Sequence, residues 1–101
     1  KGITDSWKDS QATIDCLGFV EGICCPHYDE EPERIPYVKK ILEANEITEC
    51  YGIEGYAALH LIDDKPRYNI SFKKDTSCHH VFLGNNKVHH KNIDGTIEVD
   101  L

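Results

Sequence analysis

One segment alone in this chain carries a helical hydrophobic period. Ile35, Val38, Ile41 and Leu42 recur at the spacing of one helix face, with Lys39, Lys40 and Glu43 on the other. This predicts a helix over 35–45. Pro32 and Pro36 suit a loop end and a first turn. The other structured stretches are short and strand-like: 14–20, 48–53, 56–62, 67–73, 79–83 and 87–93. The first reads as a buried strand closed by Gly22. Residues 1–12 are polar, with Trp7 as the one large apolar group. Asp63–Pro66 and Asp94-Gly95 read as turns, the latter before a last strand. Asn85-Asn86 reads as a tight hairpin turn that would pair Phe82 with His89 and Val81 with His90.

The predicted order is strand, helix, strand, then a run of short strands. Strand–helix–strand at this spacing favours a parallel pair joined by a right-handed crossover, and the tail reads as an antiparallel extension. A parallel sheet is normally covered on both faces, and one helix covers one of them. The 101 residues therefore read as a single small domain or a domain fragment. The chain begins at Lys1 and contains no Met, which reads as processing or as part of a longer protein.

Charge and composition narrow the function. The formal net charge is −7 and the pI is near 5.2, with no basic cluster, which argues against a nucleic-acid partner. No apolar run approaches the ~20 residues of a membrane span, and residues 1–20 hold no signal-peptide core. Five cysteines, an odd number, include the adjacent Cys24 and Cys25 and lie largely in apolar runs. They read as reduced thiols of a cytoplasmic protein rather than as a disulfide framework.

The densest chemistry lies in Cys24-Cys25-Pro26-His27-Tyr28-Asp29-Glu30-Glu31-Pro32-Glu33-Arg34. In an open α/β sheet, catalytic groups gather at the carboxyl ends of strands. His27 falls there, and so does Glu54 at the end of the strand after the crossover. Such a pair suits a base and the carboxylate that orients it; a solvated loop His is the plainer reading. No serine lies in a Gly-x-Ser-x-Gly elbow, and Cys24 and Cys25 are too close in sequence to His27 for a nucleophile–base pair. Cys24, Cys25, His27, Cys50, Cys78, His79, His80, His89 and His90 are all donor types. They lack zinc spacing, so no metal or cofactor is expected. Arg34 pairs locally or meets a substrate carboxylate, and Tyr28 packs or touches a ligand.

Cys25-Pro26-His27-Tyr28-Asp29, Pro32-Glu33-Arg34, Tyr37 and Gly55-Tyr56-Ala57-Ala58-Leu59-His60 together resemble the carboxyl-terminal half of the dipeptidase E family of serine peptidases, relatives of aspartyl dipeptidases and cyanophycinases. Gly2-Ile3-Thr4-Asp5-Ser6 resembles a segment that follows the nucleophile in that family. The likeness runs from Gly2 to about Asp63. It implies part of a three-layer α/β/α sandwich of the class I glutamine amidotransferase kind, mostly parallel, with an antiparallel carboxyl-terminal extension. It also implies a Ser–His–Glu/Asp triad. His27 maps to the base and Glu54 to the acid, with Asp29 the runner-up acid. Arg34 and Tyr28 become candidate substrate contacts. The serine would stand on an elbow upstream of Lys1, outside these residues. The expected substrate is a small peptide. The expected partner is the amino-terminal half of the same protein or a second copy, giving a dimer. The competing reading is a non-enzymatic α/β binding or regulatory domain that keeps the fold alone.

Overall fold

The computed structural model describes residues 1–7, 10–18, 20–93 and 95–100, with the backbone alone for residues 5–7 and 10. Phe19 of the expected 14–20 strand, the side chain of Trp7, and Asp94 of the expected last turn lie outside this description. Among the described residues the chain forms nine strands and one helix. They are β1 (Gly2–Trp7), β2 (Ser10–Ile14), β3 (Ile23–Pro26), α1 (Arg34–Glu43), β4 (Glu49–Ile53), β5 (Ala57–Ile62), β6 (Lys65–Ser71), β7 (Cys78–Gly84), β8 (Lys87–Asn92) and β9 (Thr96–Glu98). No helix of the described residues is long and apolar enough to cross a membrane.

The helix sits where the hydrophobic period put it. Its end is set by Asn45, whose φ of 58° is left-handed. The Glu46 amide donates to the Ile41 carbonyl and the Asn45 amide to that of Leu42, both at 3.0 Å, which satisfies the last turn. Val38, Ile41 and Leu42 are fully or almost fully buried. They pack on Ile3, Ile23, Cys25, Cys50 and Val81, which form one face of the sheet beneath.

The strands form a six-stranded sheet in the order β2-β1-β3-β4-β7-β8 and a three-stranded sheet in the order β5-β6-β9. β3 and β4 are parallel, as the strand–helix–strand pattern required. The first strand of that unit is Ile23–Pro26, however, and not 14–20. Gly22, at φ 95°, opens it rather than closing the earlier segment. The β7–β8 hairpin has the expected register, Phe82 opposite His89 and Val81 opposite His90. Asn85 and Asn86 both take positive φ, 52° and 63°. This is the twist a two-residue hairpin turn needs, and asparagine adopts it more easily than most residues.

The three-layer α/β/α sandwich is not what the chain forms. Among the described residues α1 is the only helix, and it covers one face. The larger sheet is mixed: β1/β3 and β3/β4 are parallel, while β1/β2, β4/β7 and β7/β8 are antiparallel. The physical reason is the length of the connections. Where consecutive strands are joined by two residues, as in β5–β6 and β7–β8, the chain turns back and pairs antiparallel, while the parallel pairs β1/β3, β3/β4 and β6/β9 join strands separated by longer stretches of chain. The polar segment 1–14 makes one such hairpin, which its lack of alternation concealed. On the face away from α1, Cys24, Tyr51 and Ile53 share a cavity of about 400 Å³ with Leu59 and Leu61 of β5. The small sheet thus stands partly where a second helical layer was expected.

Candidate active site

The last paired residues of β3 and β4 are Pro26 and Ile53. The next residue of each strand is His27 and Glu54, so both leave the sheet at the same edge, side by side. His27 has φ 50°, in the left-handed region. That region is costly for most residues, and histidine is among the few enriched there. The turn is closed by the Glu30 and Glu31 amides, which donate to the His27 carbonyl at 3.2 and 3.3 Å. The Tyr28 amide continues the ladder to the Ile53 carbonyl at 3.0 Å.

The loop after β3 is clamped to the loop after β4. The Gly55 amide donates to Asp29 Oδ1 at 2.9 Å. The Glu30 side chain lies over Gly55, where any Cβ would collide with its carboxylate. The Tyr28 ring is buried against Gly52, and a Cβ there would stand 2.6 Å from the ring. Burial also pushes the Tyr28 hydroxyl well above its ordinary pKa, with the nearby Cys50 and Cys25 adding to the rise. Arg34 is buried at the start of α1, its Nη1 donating to the carbonyls of Ile3 at 3.1 Å and Pro26 at 3.0 Å. Of the candidate substrate contacts, Arg34 thus holds β1 and β3 at the helix start, and Tyr28 fills the core under the His27 turn.

His27 and Glu54 share an edge, and each side chain has its own nearest polar partner. His27 Nδ1 lies 3.4 Å from Glu30 Oε2, both groups well exposed. Glu54 turns toward β7. Its Oε1 accepts the Ser77 amide at 3.2 Å and its Oε2 accepts His79 Nε2 at 2.5 Å. Its own amide donates to the Ser77 carbonyl at 3.2 Å. The Glu54–His79 pair is mostly buried, with side chains 17% and 10% exposed. Ser77 Oγ also lies 3.5 Å from His79 Nε2. Serine and carboxylate therefore meet the same ring nitrogen. A relay needs them on opposite nitrogens, so Ser77–His79–Glu54 is not a second triad. His79 Nδ1 is buried, without a hydrogen-bond partner among the described residues.

His79 was visible in the sequence only as a donor atom in a Cys-His-His string. Its role follows from the antiparallel β4–β7 pairing, Gly52 opposite His79 and Ile53 opposite Cys78, which nothing local specifies. The other imidazoles are dispersed. His80 binds Glu49 at 3.0 Å on the opposite face, and His89 binds the Gly84 carbonyl at 3.0 Å. His90 stacks on His79 with centroids 4.7 Å apart. Burial lowers the His90 pKa and the neighbouring His79 lowers it further, against a smaller upward pull from Glu54. Among the described residues no group of three His, Cys, Asp or Glu converges as a metal site.

The five cysteines are free. Cys25, Cys50 and Cys78 are buried out of reach of any substrate. A hydrogen bond from Cys50 and the adjacent Arg34 hold the Cys25 thiol below its ordinary value, while the same contact and burial push Cys50 up. Burial pushes Cys78 up to about 12.

No solved structure matches this chain. It is 28% identical over 88 residues to the uncharacterized peptidase YgaJ of Bacillus subtilis (strain 168). The match takes in 87% of this chain and 38% of that protein, so the chain spans well under half the length of this relative. The model of peptidase family S51 matches residues 1–68, a stretch that holds β1 to β5, the His27 turn and the Glu54 edge. His27 and Glu54 thus lie within the stretch that the family model covers, Ser77 and His79 beyond it, and the chain belongs to peptidase family S51.

Proposed function

We propose that these residues are the carboxyl-terminal part of a serine peptidase that hydrolyses small peptides, with His27 as the base and Glu54 as its acid. The nucleophilic serine, in this reading, stands on an elbow of the longer protein outside the 101 residues. One observation carries the reading: the Pro26–Ile53 register brings His27 and Glu54 to neighbouring positions at the carboxyl edge of two parallel strands. Family membership supports the peptidase chemistry.

The proposed chemistry is acyl transfer. The serine oxygen attacks the scissile carbonyl as His27 takes its proton. The imidazolium then gives that proton to the leaving amine, and a water, activated by the same imidazole, releases the acid product. Glu54 orients the ring and offsets the charge that forms on it. A carboxylate has about four acceptor sites. Ser77 and His79 use two, which leaves others for His27. Arg34 and Tyr28 brace the turn that carries the base. One oxyanion-hole amide would come from the residue after the serine.

The test uses the longer protein and a panel of dipeptides that includes Asp-Xaa. His27→Ala should lower kcat by about 10⁴-fold, and Glu54→Gln by less, since the acid acts through the base. Full activity in His27→Ala would overturn the reading.

A further inference from the structure

The acid of the proposed pair is not held by the element that carries it. Glu54 follows β4, yet both oxygens of its carboxylate are bound by groups at the start of β7. Ser77 supplies a backbone amide to Oε1 at 3.2 Å, and His79 supplies its Nε2 to Oε2 at 2.5 Å. His79 is itself confined. It is 8% exposed and packs in a triangle of rings with Tyr28, at 5.3 Å, and His90, at 4.7 Å, which themselves lie 5.7 Å apart. Its other nitrogen, Nδ1, is enclosed without a hydrogen-bond partner among the described residues. The polar contacts of this buried imidazole are therefore confined to Nε2, which meets Glu54 Oε2 and, at the longer distance of 3.5 Å, Ser77 Oγ.

Resting on the peptidase reading above, we infer that His79 is a positioning residue that fixes the Glu54 carboxylate for His27. A glutamate has three side-chain torsions, and an unbound carboxylate at a strand end samples several rotamers. Two donors, one on each oxygen, select one orientation. That orientation leaves the remaining acceptor sites free and costs no reorganisation when His27 takes up a proton. A catalytic group held by packed neighbours is the arrangement that precise sites require. The stacked His90 ring and the tilted Tyr28 ring hold His79 in turn, so the contact chain runs His90–His79–Glu54.

The experiment is a double-mutant cycle in the longer protein, read as kcat and KM on the dipeptide panel. His79→Phe keeps a ring against Tyr28 and His90 and removes the donor. It should lower kcat by on the order of 10- to 100-fold, with KM little changed. In a Glu54→Gln background the same substitution should have almost no further effect, because its effect passes through that carboxylate. His79→Gln retains an amide donor near the position of Nε2 and should stay within about threefold of the wild type. Should His79→Phe fail to fold, His79→Gln still decides: folded and active, it supports the proposal; folded and inactive, it overturns it. Independent, multiplying losses for His79→Phe and Glu54→Gln would also overturn it. So would a fully active His79→Phe, and if Glu54→Gln is impaired in the same assay, the His27–Glu54 reading survives that failure. If His27→Ala and Glu54→Gln are both fully active, the peptidase reading has failed, and this inference with it.

Discussion

At the residue scale, the site edge is built on two glycines that have no room for a side chain. At Gly52 the obstacle is the buried Tyr28 ring, 2.6–2.7 Å from where a Cβ would stand. A ring packed against Cys25 and Cys50 in the core cannot swing aside. Gly52→Ala should therefore destabilise the protein by about 1–3 kcal/mol, the ordinary cost of overpacking. Denaturant unfolding measures this, and an unchanged midpoint would contradict the packing. At Gly55 the obstacle is the far end of Glu30, a flexible and exposed chain. Gly55→Ala should cost less stability and displace Glu30 from His27. Cysteine chemistry belongs to the same scale. Burial, with Cys25 and Cys16 nearby, raises the Cys24 thiol above its ordinary value, while Cys25, Cys50 and Cys78 are fully buried. Alkylation of the native protein near pH 8 should modify Cys16, exposed beside the apolar cavity, before Cys24. The other three should react only after unfolding. Mass spectrometry of a time course reads the order.

Elements differ in how much of them a sequence reveals. The helix period of Val38, Ile41 and Leu42 and the Asn85-Asn86 turn are local signals, and both correspond to what forms. The strand before the helix is Ile23–Pro26 and not 14–20. Cys16-Leu17-Gly18 and Ile23-Cys24-Cys25-Pro26 are both apolar, but Leu17 is 85% exposed while Cys25 is fully buried. Burial follows from strand partners, and β3 has them on both sides, whereas 15–18 pairs with no strand among the described residues. For the same reason His27 and Glu54 could be assigned to one edge from strand order, whereas the β4–β7 pairing that brings His79 to Glu54 joins segments about 25 residues apart. That register is a long-range choice. The β7–β8 hairpin carries a pH consequence. His90 faces His79, Tyr28 and Glu54, and its pKa is lowered in the folded protein. The unfolded chain binds the proton first as pH falls below about 6.5. Stability should therefore decline from there and level off below the folded-state pKa. Thermal midpoints across pH 5–8 test it: the decline should be smaller in His90→Phe, and an equal decline in both would remove His90 as a cause.

For the whole molecule, the informative feature is what borders the sheets. The six-stranded sheet ends at β2 on one side and β8 on the other. β8 reads Lys-Val-His-His-Lys-Asn, and its two lysines discourage pairing with another chain. β2 reads Ser-Gln-Ala-Thr-Ile and holds no charge. Ile14, its last residue, is 43% exposed, and beyond it Leu17 lines the apolar cavity shared with Cys24, Ile53, Leu59 and Leu61. An uncharged open edge beside an apolar hollow is the combination that draws a further strand or a second copy. The 101-residue chain, expressed alone, should therefore self-associate at micromolar concentration through β2. Thr13, exposed on that strand, offers the control. Thr13→Lys sets a charge on the edge and should shift the chain toward monomer without lowering its thermal midpoint, whereas Lys87→Thr on β8 should leave the mass unchanged. Light scattering with size-exclusion chromatography reads both. A stable monomer of the unmodified chain would mean that the β2 edge is closed by its own residues. Association that ignores Thr13→Lys would place the contact elsewhere, with the Leu17 hollow the next surface to alter.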